Sequence, residues 1–547
     1  MNTRPTATWR LLGLEAALDE PEQALFERAA RAAGFAPEHV RGTRLAQRSL
    51  DARRRGGDRR MRFICHVDLV VDAGQKPTAL KRLERKGKAR PAPQPGSLRV
   101  AGLHPSLAGP ERRVVVVGSG PAGLFGALAL ALNGVRVTLL ERGPRLAERG
   151  KRVAGFHRSG EIHTEGNLLF GEGGAGTYSD GKIYTRVDDP LEVPLLEELV
   201  ACGAPPAIVY DSLAHIGTDR LHRVLPEFRA RLESLGVELS FDTRFEGLVF
   251  DETHPELVRA VATSAGEVGC DAVLLAVGHS ARDTWARLSE QGVAFEAKPF
   301  QLGLRIEHPQ ELIDQGRYGD AASMLGAASY NLVCRAGGGL PGAFSFCMCP
   351  GGRVVAAVNE AGLLCTNGMS NSKHSSAWAS AAVVTTFGPA EFGTGAFDGV
   401  EFQRTLERRF FEAGGSDYSA PAQTAEDFLR GREATTVRGS TYPFGTVPGR
   451  LDELLPPLAR DAIARALGEF ERRLPGFAGP EGQFVGLESR SSGPVRMPRD
   501  RETYRAAGLA NLLPVGEGAG YAGGIMSAAL DGANAAQSLL RSGVVHL

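Results

Sequence analysis

Val114 to Val117 is an uninterrupted run of valines, bounded by charge on one side and glycine on the other. That is the pattern of a strand buried on both faces of a parallel sheet. The run leads directly into GSGPAG, an apolar helix through LFGALALALNG and a second strand, VRVTLLE. Strand, tight glycine turn, helix and strand within about 30 residues make a βαβ unit. No other stretch restricts the possible folds as strongly. In the turn, Gly118 allows the tight bend, Gly120 lets the backbone approach a pyrophosphate, and Gly123 permits close helix–strand packing. Ser119, Pro121 and Ala122 complete the turn and open the helix, whose free N–H groups and partial positive charge suit phosphate. Glu141 stands 18 residues after Gly123 at the end of the second strand, placed to accept hydrogen bonds from an adenosine ribose, with Arg142 beside it.

The fingerprint alone does not separate NAD from FAD, because both present ADP to the sheet. The C-terminal segment LLPVGEGAGYAGGIMSAALDG separates them. It has an apolar approach, Gly516 and Glu517 at a turn, then Gly523, Gly524 and a helix opening at Ile525 and Met526. An acid at such a turn can hold ribityl hydroxyls, and the helix start can stabilise negative charge on a reduced flavin ring. A nicotinamide dinucleotide needs no such second site. With GSGPAG, LLERG, LLAVGHSARDT and VGEGAGYAGGI in this order, the chain resembles the glutathione-reductase-type flavoproteins. It is more closely similar to a family of largely uncharacterised bacterial FAD-dependent dehydrogenases, through TEGNLLFGEGGAGTYSDGK, HIGTDRL, PFQLGLRIEHPQELID, FSFCMCPGG, TNGMS and GEGAGYAGGI. The resemblance implies FAD, with Gly278 of the LLAVGHSARDT element near it, and supplies no substrate.

Gly171 to Thr185 is too glycine-rich for a core strand. It could bring Gly173, Gly174 and Lys182 to the isoalloxazine edge, where a cation stabilises anionic reduced flavin or substrate. The alternative is a glycine turn with Lys182 in solvent. Related disulfide reductases carry a redox cysteine pair in this loop, and here there is none. Cys347 and Cys349 are separated by one residue, poor spacing for a zinc knuckle and strained for a disulfide. They read as small apolar residues at a strand end, with a redox or covalent role as the alternative. His163, His215 and His279 show no metal spacing, and no metal is expected. Arg149 and Arg152 could meet the pyrophosphate or lie in solvent. No second GxGxxG occurs in a βαβ setting, so any NAD(P)H binds transiently or another donor serves. The C-terminal motif is not the GDAAHxxxP of aromatic hydroxylases, which argues against oxygen insertion.

At 547 residues the chain is long enough for two or three domains, and 69 glycines point to many sharp turns. The expected fold is α/β: a small basic N-terminal α/β domain (1–95), a linker (96–112), a Rossmann-like FAD-binding domain in two parts (113–298 and 501–547) and an inserted α+β substrate domain (299–500). Residues 1 to 110 carry 21 basic and 11 acidic side chains against 42 and 52 in the rest, so the balanced total hides a basic unit, with Arg53, Arg54 and Arg55 in its densest run. Seven cysteines, an odd number, argue for reduced thiols in the cytoplasm. The N-terminus has no signal-peptide core, and the most apolar stretch is broken before a membrane span is complete. These features predict an FAD-dependent oxidoreductase that exchanges a hydride with a small organic substrate. An RNA-directed flavoprotein using the basic domain, and a flavin protein passing electrons to a donor or acceptor protein, are the alternatives.

Overall fold

The computed structural model describes residues 5–53, 61–109, 111–433 and 437–544. The valine run becomes strand Arg113–Val117, central in a five-stranded parallel sheet. Across that sheet the order is Leu512–Pro514, Ala272–Leu275, Arg113–Val117, Arg136–Leu140 and Glu238–Ser240. Helix Pro121–Leu132 is apolar all round and buried along almost its whole length, because the sheet lies on one side of it and helix Ile525–Ser542 on the other. The two helices cross at a glycine: a Cβ on Gly532 would stand 2.0 Å from the Ala122 carbonyl oxygen. Distant ends of the chain thus close one core.

VELSFDTRFEGLVFDE reads in sequence as an extension of this sheet, but only its Glu238–Ser240 part joins it. Strand Phe245–Phe250 instead pairs with Val258–Thr263, which pairs with Gly266–Gly269, in a separate antiparallel three-stranded sheet. Short connections favour local hairpins over a further parallel crossover.

The antiparallel pair Glu296–Ala297 and Val495–Arg496 carries the chain out to the inserted region and back. Between these crossings lies a seven-stranded mixed sheet in the order Val333–Cys334, Ala343–Cys349, Trp378–Phe387, Phe300–Pro309, Gln483–Glu488, Ala420–Thr424, Thr446–Pro448. Helices Asp398–Ala413 and Pro457–Arg473 cover it with buried aromatic and aliphatic faces. No helix among the described residues is long and apolar enough to cross a membrane.

The N-terminal unit is an antiparallel sheet, Val40–Asp51, Arg62–Asp72, Thr6–Ala16, Ala89–Pro91. Helices Glu22–Ala33 and Thr78–Arg85 complete a ferredoxin-like split βαβ order. Gly34 ends the first helix in the left-handed conformation at φ 78°, as its position after the apolar periodicity predicts. Much of the basic charge here is spent internally. Arg10 and Arg44 share the buried Asp68, and Arg41 pairs with Asp72. Arg48 pairs with Asp211 while lying over Phe63 and Tyr210, which docks the unit on the parallel-sheet domain. Arg53 pairs with Asp51; Arg54 and Arg55 lie outside the described residues. The segment read as a linker is likewise docked: Leu98 and Leu107 are buried in the core of the parallel-sheet domain, and Asn133 bonds the backbone of Leu98 and Val100.

Candidate functional site

One cavity of about 1090 Å3 runs from the carboxyl ends of the parallel strands into the inserted region. It exceeds the ~300–1,000 Å3 usual for small-ligand pockets and lies where open α/β sheets bind ligands. Two helix N-termini open into it, Gly120–Pro121 and Gly524–Ile525, and neither is capped by a side chain. Uncapped first-turn N–H groups require partners. Each can donate to an anionic or electron-rich oxygen.

Most predicted residues line this cavity: Gly118, Gly120, Pro121 and Ala122 at the first helix, Glu141 and Arg142 after the second strand, and Gly174 and Lys182 in the glycine loop. Gly278, Gly516, Glu517, Gly524, Ile525 and Met526 line it from the opposite side. Four predicted residues do not, and each has a reason. Ser119 spends its N–H and hydroxyl on Glu141 at 2.9 and 2.7 Å. Gly123 lies beneath the turn, packed on the Gly118 carbonyl. Gly173 donates its N–H to Ser119 O at 3.1 Å and so ties the glycine loop to the turn. Arg149 is fully buried, and its Nη1 donates to the carbonyls of Gly171, Glu172 and Gly174 at 2.7 to 3.3 Å. It shapes the loop's backbone instead of reaching phosphate, and burial lowers its pKa to about 10. Arg152 pairs with Asp242.

Glu141, expected from sequence to face an adenosine ribose, is engaged by the protein's own groups. Its other oxygen accepts from Gly143 N at 2.9 Å and Gly171 N at 3.0 Å. One carboxylate thereby binds the glycine turn after the first strand, the end of the second strand and the glycine loop. Arg142 pairs with Glu165 and Asp283 and lies 4.2 Å over the Phe170 ring. Gly174 abuts Gly120, since a Cβ on Gly174 would be 3.1 Å from the Gly120 Cα. Gly176 faces Ile525 in the same way, at 3.2 Å. The loop is therefore threaded between the two helix starts.

At its far end the loop presents Asp180 and Lys182, which are ion-paired, with Ser370 donating to the second Asp180 oxygen. Burial opposes the charge on Lys182, but Cys349, Asp180 and Cys347 outweigh it and hold the ammonium above the usual lysine range. Here the structure assembles residues that are far apart in sequence. His215 and His374 stack at 4.2 Å between ring centroids, and with Asp180 place one potential ligand atom each within 4.8 Å of the others. Such a set of donor atoms could hold a metal ion, contrary to the expectation from sequence, although Asp180 is also ion-paired with Lys182. Burial keeps His215 neutral by pushing its pKa down. His279 faces Glu517 at 3.6 Å on the cavity wall, whereas His163 caps a turn through Gly166 N. Asp180 was not singled out from the sequence, although its place in SDGK beside Lys182 is a signal that points to it. His374 carried no sequence signal, and neither did the buried cluster of Arg282, Glu407 and Arg490, of which Arg490 lines the cavity.

Residues 111–163 match the family described as FAD binding domain, and residues 299–491 the family described as FAD-dependent protein, C-terminal domain-like. An uncharacterized protein of Clostridium beijerinckii is 40% identical over 435 residues, 79% of this chain and 81% of that protein. A glycine oxidase of Pseudomonas aeruginosa is 32% identical over 208 residues, covering 31% of this chain and 56% of that protein. Among solved structures, the L-proline dehydrogenase of P. horikoshii aligns over 80% of this chain and 95% of its own, with 12% identity and a TM-score of 0.33.

Proposed function

We propose a reaction for this chain, which belongs to the family of FAD-dependent proteins that includes its Clostridium beijerinckii relative and uses FAD: transfer of a hydride between the flavin N5 and a small organic substrate. The observation that carries this reading is one continuous cavity, with two uncapped helix starts in one half and residues of the inserted region in the other. Kinship with the glutathione-reductase-type flavoproteins, a cytoplasmic setting and either transient NAD(P)H or a donor protein belong to the same reading. The seven cysteines are all free, which supports a reducing compartment.

In this reading the first helix start and the turn at Gly118–Ala122 bind the pyrophosphate, while Glu141 rigidifies the surrounding loops. Glu517 meets the ribityl hydroxyls, and Gly524–Met526 present N–H groups to the ring's polar edge. FAD supplies the redox chemistry, accepting or giving two electrons at N5. The chain's own groups do the rest. Lys182 Nζ keeps its protons and places an ammonium, paired with Asp180, at the cavity wall. Tyr330, Phe344 and Met348 of the inserted region exclude water from the substrate half. Arg186 and Arg317 line the same cavity and favour a substrate bearing negative charge.

The test is spectroscopic. Purified protein is expected to show flavin absorption that bleaches under anaerobic conditions with NADH, NADPH or an organic acid donor. Flavin that none of these reduces would remove the dehydrogenase reading. Lys182→Met is expected to lower the flavin midpoint potential by about 30–60 mV, the two-electron equivalent of about 1.4–2.8 kcal/mol of lost charge stabilisation. Dye equilibration measures it, and an unchanged potential would place Lys182 outside the redox site.

A further inference from the structure

Cys347 and Cys349 end strand Ala343–Cys349, where the pairing with Trp378–Phe387 breaks register between Phe346 and Cys349. Cys347 takes a left-handed φ of 44°, which a non-glycine residue adopts at a cost and which concentrates at functional sites. This turn brings Cys347 and Met348 to the cavity wall and folds Cys349 back, so that its Sγ lies 3.3 Å from the Cys347 carbonyl oxygen. Cα atoms two residues apart on a regular strand stand about 6.8 Å from each other, the outer limit for a disulfide. The bulge at this pair departs from that regular strand.

Two cations face the pair. Lys182 Nζ is 4.0 Å from Cys349 Sγ. Arg305, fully buried, directs Nη2 at Cys349 Sγ (3.5 Å) and at the Cys347 carbonyl (2.8 Å) while Nη1 pairs with Glu488. A cationic setting favours thiolate. Interaction with the Cys349 side chain, followed by Lys182 and Arg305, draws the Cys347 thiol pKa down against burial, and the same interaction pushes that of Cys349 up. The loop from Gly174 to Lys182 joins this corner to both helix starts, since Gly174 abuts Gly120, Gly176 faces Ile525 and Lys182 reaches Cys349.

We infer that Cys347 and Cys349 are a redox-active dithiol that delivers an electron pair to the FAD bound in this cavity and becomes a Cys347–Cys349 disulfide. Starting from thiolate and thiol, the Cys349 S–H bond breaks, one S–S bond forms, and one proton and two electrons leave. FAD takes up both electrons and that proton, and the negative charge passes from sulfur to the reduced cofactor. The inference deepens the proposed function by naming a dithiol donor, and it rests on FAD occupying the cavity.

Peptide chemistry tests it. Cleavage at arginine releases residues 336–353, which contain these two cysteines and no others. Yellow holoprotein is treated anaerobically with dithiothreitol, sampled into iodoacetamide, and followed by absorbance and mass spectrometry. The expected result is flavin bleaching accompanied by an unalkylated form of the peptide two hydrogens lighter. In Cys347→Ser and Cys349→Ser, bleaching is expected to be at least 100-fold slower with flavin content unchanged. A peptide that is doubly alkylated at every time point, or variants that bleach at the wild-type rate, would overturn the inference and leave the proposed function standing. Wild-type protein that binds no flavin would overturn both.

Discussion

Gly123→Val is expected to give a folded protein that has lost its flavin. At this position even a Cβ would stand 1.8 Å from the Gly118 carbonyl oxygen, 3.0 Å from its carbon and 3.4 Å from Val116 Cγ1. Backbone cannot swing aside as a side chain can, and Gly118 has no slack of its own. It sits at φ 103°, and its own Cβ position is 2.4 Å from the Ala276 carbonyl. The clash is relieved only if helix Pro121–Leu132 backs away from the sheet, which carries its first-turn N–H groups off the cavity. Overpacking of this kind costs about 1–3 kcal/mol. Applied to the groups that hold the pyrophosphate, its upper end is about a 100-fold loss of affinity. Visible absorbance per protein after gel filtration, with far-ultraviolet circular dichroism for folding, reads the outcome. Gly155→Ala is the control, because nothing lies within 4 Å of its Cβ position. Valine protein that stays as yellow as the control would sink the assignment of this turn to the cofactor.

The βαβ unit was legible because its constraint is local: a buried parallel strand demands an apolar run, and a turn this tight demands glycine. The C-terminal turn and helix followed for the same reason. The strand at 245–250 was misplaced because valine and phenylalanine announce a strand without saying which sheet it joins. At 96–109, proline and glycine correctly forbid long helix or sheet, but Leu98 and Leu107 still find a core. In the site, Lys182 could be suspected from its glycine-rich neighbours. His374, more than 150 residues from His215, could not, since only the pairing of the two domains brings them together. The left-handed Cys347 was hidden as well, because the bulge that creates it depends on the register of a partner strand.

The buried charge beside the cavity was the least legible feature. Glu407 lies in FQRTLERRFF on helix Asp398–Ala413, where charges normally face water, yet it is 0% exposed. It accepts from Arg282 at 2.9 and 3.0 Å, from Arg490 at 2.7 and 2.9 Å and from Ser489 at 2.7 Å. Arg282 opens a helix of the parallel-sheet domain, and Glu407 and Arg490 belong to the inserted region, so one carboxylate fastens the two around the cavity wall. Removing one partner from a buried ion pair costs about 3–5 kcal/mol, because the remaining charge is stranded. Glu360, partly exposed, still reaches Arg282 at 2.9 Å, so Glu407→Gln is expected at the lower end, about 3 kcal/mol. For a unit of this size that is a fall of about 6–12 °C in melting midpoint. Glu401→Gln on the same helix removes only an exposed pair with Arg404 and should stay within about 0.5 kcal/mol of wild type. The pH dependence separates charge from packing. Burial opposes ionisation of Glu407, but Arg282 and Arg490 overcome it and hold its pKa far below the usual carboxylate range. A carboxyl lowered on folding adds stability that is complete above its unfolded pKa, about 4.3, and is lost as pH falls toward the folded value. Wild type should therefore lose stability more steeply than the glutamine variant below about pH 4.3, the two curves converging as Glu407 protonates. Parallel curves, or a variant that melts with the control, would mean that packing rather than this carboxylate joins the two domains.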